Sequence, residues 1–160
     1  MNDGIDSADQ AGMISFDRSF DGGLGELVQL SPLVRRMVAG NAGPMTFTGT
    51  CTYVVGTGEV AVRPYSALLA ALRGETVTTI LVSHTHIDRS PGARALKAAT
   101  GARIIGCAAY HFPRQTIGNA VYAANDFDYA PDVILHDGDA IEGKNFSLVC
   151  VETPGHAMNH

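Results

Sequence analysis

Apolar residues in this chain fall in short runs between dense turn signals, and the period of those runs changes along the sequence. The first 26 residues, rich in Gly, Asp and Ser, predict a weakly ordered tail and leave 27–160 as one domain. Residues 27–30 predict a strand. Ser31-Pro32 caps a turn or a short stretch over 33–38, and Gly40-Asn41-Ala42-Gly43-Pro44 is a further turn signal. β-Branched and aromatic residues over 47–55 predict a second strand, turned at Gly56-Thr57-Gly58 into a partner over 59–62. Leu68, Leu69 and Leu72 share one face of a short helix over 66–72, closed by Gly74. The near-continuous apolar run 77–83 reads as a buried central strand. Ser90 as N-cap and Pro91 in the first turn open a helix that runs to Gly101. A strand over 103–107 leads into a long, mostly polar connection, 108–131. Strands follow over 133–135, 140–141 and 146–152, separated by Asp137-Gly138-Asp139 and Gly143-Lys144-Asn145. This order implies an α/β domain with a mixed sheet and helices on one face.

Composition narrows the class. With 46% hydrophobic and 17% charged residues in 160, the chain is globular and large enough for a core. A net charge of −5 disfavours a general nucleic-acid surface, which needs clustered Lys and Arg. No run approaches the roughly 18 apolar residues that span a bilayer. The acidic residues 1–21 lack the layout of a signal peptide, so a cytoplasmic protein is expected. Cys51, Cys107 and Cys150 are widely spaced with no CxxC, which reads as buried thiols in a reducing compartment.

The chemistry concentrates in two segments. In Ser83-His84-Thr85-His86-Ile87-Asp88, the histidines are one residue apart in an extended loop leaving a strand. They therefore point to the same side. Asp88 reaches the same region as a carboxylate. The position, between a strand end and a helix, is where α/β proteins place their sites. His-x-His alone has little specificity. Thr153-Pro154-Gly155-His156 adds to it, because Pro-Gly enforces a tight turn that throws His156 outward. Together His84, His86 and His156 offer three nitrogens and leave a fourth zinc position for water, the layout of a catalytic site. Zinc lowers the pKa of such a water to about 7, so hydroxide is available at neutral pH. His111 and His136 lie outside these motifs and read as surface or hydrogen-bonded residues. Asp137 and Asp139 read as turn formers.

His84-Thr85-His86-Ile87-Asp88 with Gly92, and Thr153-Pro154-Gly155-His156, resemble the two first-half metal motifs of the metallo-β-lactamase superfamily. The similarity starts near Asn41-Ala42-Gly43-Pro44. Ser90-Pro91-Gly92-Ala93 and the Gly49-Thr50-x-Thr52-Tyr53 strand are closest to its glyoxalase II-like thioesterase and small endoribonuclease-like branch. The resemblance implies the first half or so of an αββα sandwich, with His84, His86 and His156 as ligands of the first zinc. Asp88 is then a second-zinc ligand that also orients the attacking water. Three departures accompany it. Arg89 stands where the family has a histidine for the second metal, and a guanidinium offers no lone pair. It is expected to repel a second ion and to pair with Asp88. Val62-Arg63-Pro64-Tyr65 runs into a helix where the family has an Asp-Pro-Gly-like loop. The chain also stops at His160, before the family's bridging aspartate and last histidine. His160 matches a histidine often found four residues after the third ligand, without a ligand role carried over.

The expected function is zinc-dependent hydrolysis of a small-molecule thioester or ester, with one ion bound and Asp88 as orienting base. A catalytically impaired relative binding at most one metal is the alternative, and a metal-dependent nuclease a further one that the acidic charge disfavours. An uncovered apolar sheet face is expected to drive homodimerisation or pairing with a complementing chain.

Overall fold

The computed structural model describes residues 22–44, 46–56, 60–61, 65–111 and 123–160. The predicted turn residues Thr57 and Gly58, most of the predicted tail and part of the 108–131 connection lie outside them. Two strands, β1 (Val28–Ser31) and β2 (Val34–Val38), form a hairpin turned at Pro32 and Leu33. β2 pairs antiparallel with β3 (Cys51–Val55), and β3 with β4 (Val60–Ala61). From there the pairing is parallel, through β5 (Thr79–Val82), β6 (Arg103–Gly106) and β7 (Val133–Ile134). A mixed seven-stranded sheet in sequence order results among the described residues, as the alternation of elements predicts. β8 (Ala140–Gly143) and β9 (Phe146–Val149) form a separate two-stranded sheet.

Helices α1 (Tyr65–Ala71) and α2 (Pro91–Thr100) lie side by side, with α2 against β5 and β6. Met37, Val54, Ile80, Val82 and Ile104 from the strands meet Leu68, Leu72, Ala93 and Leu96 in one buried cluster. Because successive strand residues point to opposite faces, Cys51, Tyr53, Val55 and Leu81 turn the other way. They line a cavity of about 660 Å³, shared with Ile141 and Leu148 of the β8–β9 hairpin. Arg35 crosses from β2 to Glu75 with two hydrogen bonds of 2.6 Å, which holds the Glu75 carboxyl below its usual range.

Several expectations need correction. The strand predicted over 47–55 begins only at Cys51. Phe47 has φ 54° and closes a turn by donating its N–H to the Gly43 carbonyl at 2.8 Å. At Gly49 (φ 138°) a Cβ would stand 2.0 Å from the Ala39 carbonyl oxygen, so β-propensity is overridden by a close backbone approach. The run 77–83 gives a central strand of four residues, Thr79–Val82, buried only at Ile80 and Val82. Ser90 precedes α2 but does not cap it: its backbone is helical and its hydroxyl donates to Asp126 at 2.8 Å. The cysteines are free and only half-buried, and all three line the cavity. Burial pushes the Cys107 thiol up to about 11 and raises Cys150 as well, which disfavours the thiolate form of both. Finally, the predicted 146–152 strand ends at Val149.

Candidate metal centre

β5 ends at Val82, and the chain leaves it through Ser83-His84-Thr85-His86. This loop is anchored on both sides. Asp126 donates its N–H to the Thr85 carbonyl at 2.6 Å, and Ile87 donates to Ala124 at 2.9 Å, so the loop bridges residues 124–126. Arg89 and Ser90 then both donate to the His86 carbonyl, at 2.9 and 3.2 Å, closing the turn that holds Asp88. Buried Asp126 fixes the far end. It accepts from Ser90 Oγ, from Arg94 Nη1 at 2.8 Å and from the Asp128 N–H at 3.1 Å.

The third histidine comes from the turn after β9. Gly155 (φ 153°) donates to the Ala157 carbonyl at 3.2 Å, and Thr153 donates to the His160 carbonyl at 2.8 Å. Asn159 joins this turn to the first loop, its Nδ2 donating to Thr85 Oγ1 at 3.1 Å and to the Ala108 carbonyl at 2.9 Å. Thr85, fully buried, donates a hydrogen bond from its hydroxyl to Asn125 Oδ1 at 3.0 Å.

These anchors bring His84, His86 and His156 together, with one ring nitrogen of each within 4.8 Å of the others. Ring centroids are 4.7 Å apart for His84–His86, 5.0 Å for His84–His156 and 4.8 Å for His86–His156, with the planes near perpendicular in each pair. His84 is buried. Ser83 Oγ lies 2.9 Å from its Nδ1, while its Nε2 has no hydrogen-bond partner. A buried polar atom without a partner is costly unless something occupies it. Burial pushes the His84 pKa down to about 3, helped by His86, Arg89, His160 and His156. Burial, then His156, also lowers His86. Neutral imidazoles at neutral pH are the form that binds metal. The donor set, three such nitrogens with one orphaned, fits a zinc ion.

Asp88 lies beside this group without being one of its members. Its Oδ2 accepts from Thr50 Oγ1 at 3.0 Å and stands 3.4 Å from Arg89 Nε, the pairing expected from the sequence. Thr50 is itself oriented by Asn41, whose Nδ2 donates to Thr50 Oγ1 at 2.9 Å and whose Oδ1 accepts the Thr50 N–H at 2.8 Å. His160 packs 4.8 Å from His84 by ring centroid, with its Nδ1 2.6 Å from Thr153 Oγ1. His136 lies 3.7 Å from Glu152, and His111 stays exposed, away from the cluster. Asp137 and Asp139 accept backbone N–H groups of Glu152 and His136, as turn formers do. The Asn41–Thr50–Asp88 relay and the Thr85–Asn125–Asn159 network carried no sequence signal, because their members are far apart in the chain.

A protein-family model described as the metallo-beta-lactamase superfamily matches residues 35–158. An atrochrysone carboxyl ACP thioesterase of Aspergillus fumigatus is 31% identical over 151 residues, covering 86% of this chain and 42% of that protein. A hydroxyacylglutathione hydrolase of Ectopseudomonas mendocina is 38% identical over 109 residues, covering 67% of this chain and 35% of that protein. The chain thus spans less than half the length of these curated relatives. The solved structure of metallo-beta-lactamase SMB-1 bound to 2-mercaptoethanesulfonate shares the fold, with a TM-score of 0.64 at 18% identity over 87% of this chain and 58% of that one. Both histidine loops and the strands that carry them lie within the matched span, and the chain belongs to the metallo-β-lactamase superfamily.

Proposed function

We propose that this chain carries the metal-binding part of a hydrolase acting on a thioester or ester of a small molecule, with one zinc ion held by His84, His86 and His156. The convergence of three imidazoles from two loops distant in sequence, with His84 Nε2 buried and unpaired, is the observation that carries the reading. Two relatives are named as a thioesterase and a hydroxyacylglutathione hydrolase, which supports the bond class. When bound, the ion supplies a Lewis acid and a water acidified to about pKa 7.

The chain's own groups do the rest. Asp88, oriented through Asn41 and Thr50, holds the attacking water and accepts its proton. Arg89, 3.4 Å from Asp88, places a fixed positive charge beside that carboxylate and opposes a second divalent ion there, which limits the site to one. Three free thiols fit a reducing compartment such as the cytoplasm. Among the described residues no helix is long and apolar enough to cross a membrane.

Hydrolysis of a panel of acyl thioesters by the zinc-loaded chain tests this reading. His86→Ala is expected to abolish turnover, and Asp88→Asn to lower it by about 10²–10⁴-fold, the range of a general base. Arg89 also favours a second reading, a relative that binds one ion without turnover. A folded, zinc-loaded chain inert toward every thioester and ester would establish that reading instead.

A further inference from the structure

Arg89 is poorly compensated for a guanidinium in a half-buried setting. Its Nε is buried without a hydrogen bond, since the 3.4 Å approach to Asp88 Oδ2 is too long and poorly directed to make one. That carboxylate oxygen already accepts from Thr50. Arg89 has five N–H donors and no other acceptor among the described residues. Asp88 is the one anion placed against it among the described residues, and Thr50 shares that carboxylate. A cation so placed is stabilised by gaining an oxyanion.

The surroundings say what kind. Among the described residues, Arg89 is the single Lys or Arg lining the 660 Å³ cavity. Asn159 and His160 line the same wall, as do the apolar side chains of Val55 and Leu81 and the ring of Tyr53. Glu152, the one carboxylate of the wall among the described residues, lies 3.7 Å from His136. The cavity is therefore amphipathic, and it reaches the trihistidine group through His160, which lines it and lies 4.8 Å from His84 by ring centroid.

We propose that Arg89 is the receptor for an oxyanion, a carboxylate or phosphate group, on a ligand whose apolar remainder lies along Tyr53, Val55 and Leu81. The planar fork of a guanidinium matches either group with two parallel hydrogen bonds. As a statement of substrate class this rests on the hydrolase reading: the cleaved compound is an anionic, amphiphilic ester or thioester, with its charge at Arg89 and its carbonyl at the histidines. As a binding site it stands without turnover.

Calorimetric titration at constant ionic strength tests it, with acetate, hexanoate and inorganic phosphate as probes. Each is run on the zinc-loaded chain and again in EDTA, so that direct binding to metal is separated from binding at Arg89. Hexanoate is expected to bind at least ~10-fold more tightly than acetate, since each buried methylene adds a factor of about four. Arg89→Gln is expected to weaken hexanoate about 10-fold in both arms, Arg89→Lys to restore part of that loss, and Asp88→Asn to tighten binding by freeing the guanidinium. Tighter phosphate than acetate assigns a tetrahedral anion, and the reverse a carboxylate. Equal affinity of wild type and a folded Arg89→Gln variant for all three probes overturns the proposal, as does an absence of binding in the EDTA arm. Arg89-dependent binding in a chain that takes up no zinc sinks the hydrolase reading and leaves the receptor standing.

Discussion

His84 shows how burial prepares a ligand. The fold keeps its imidazole neutral, with a pKa near 3, while the unfolded chain takes up a proton at the ordinary value of about 6.5. Acid therefore favours the unfolded state: this contribution to stability is complete above about 6.5 and is lost as pH falls from there toward 3. His86 and His160, lowered for the same reason, add to the slope. Thermal unfolding of the chain in EDTA is predicted to show a melting temperature that drops from pH 6.5 downward, and a His84→Gln variant to show a shallower drop. Thr50→Val tests the relay behind Asp88. It removes a buried hydroxyl that links Asn41 to the carboxylate, so a loss of about 1–2 kcal/mol in chemical denaturation is expected, with reduced turnover. The His-x-His pair was legible because the two-residue strand period aligns alternate side chains locally. The relay was not, since a threonine at position 50 carries no local sign that it will meet a carboxylate at 88.

Among the elements, α2 was the most legible, because Pro91 starts it and Gly101, at φ 74°, ends it with its N–H on the Lys97 carbonyl at 2.8 Å. What escaped was the use of Ser90. A serine before a helix reads as a cap, but tertiary contact with Asp126 takes its hydroxyl instead. Asp126 ties α2 to the histidine loop, so Asp126→Ala is predicted to cost about 2 kcal/mol in urea unfolding. That is less than the roughly 3–5 of a fully buried pair, because Arg94 is 41% exposed. Gly106, at the end of β6, has φ 138°, and a Cβ there would lie 2.1 Å from the Val82 carbonyl oxygen. Gly106→Ala is therefore expected to lower stability by about 2 kcal/mol or more, by prising β6 from β5 just before the histidine loop.

At the scale of the molecule, the two faces of the large sheet differ. One is sealed by α1 and α2, while the other fronts the cavity, with Tyr53 46% exposed; across the cavity Val149 at the end of β9 is 62% and Val151 66% exposed. The β8–β9 hairpin opposite has only two strands among the described residues, which gives little independent stability. The 160-residue chain by itself is predicted to self-associate through this face, with light scattering giving at least twice the monomer mass. A monodisperse monomer would contradict that. The mixed sheet and its helical face were legible from the alternation of elements. The face left open among the described residues was expected from the family resemblance and not from the run 77–83, whose apolar residues on both sides of β5 look the same whether or not a second layer covers them. On this partly open frame the three imidazoles still meet, and zinc content measures that meeting directly. Elemental mass spectrometry of the chain, loaded with zinc and dialysed, is predicted to find about one zinc per chain, lost in His84→Ala and in His156→Ala. No retained zinc, or zinc undiminished in a folded His156→Ala variant, would contradict the account.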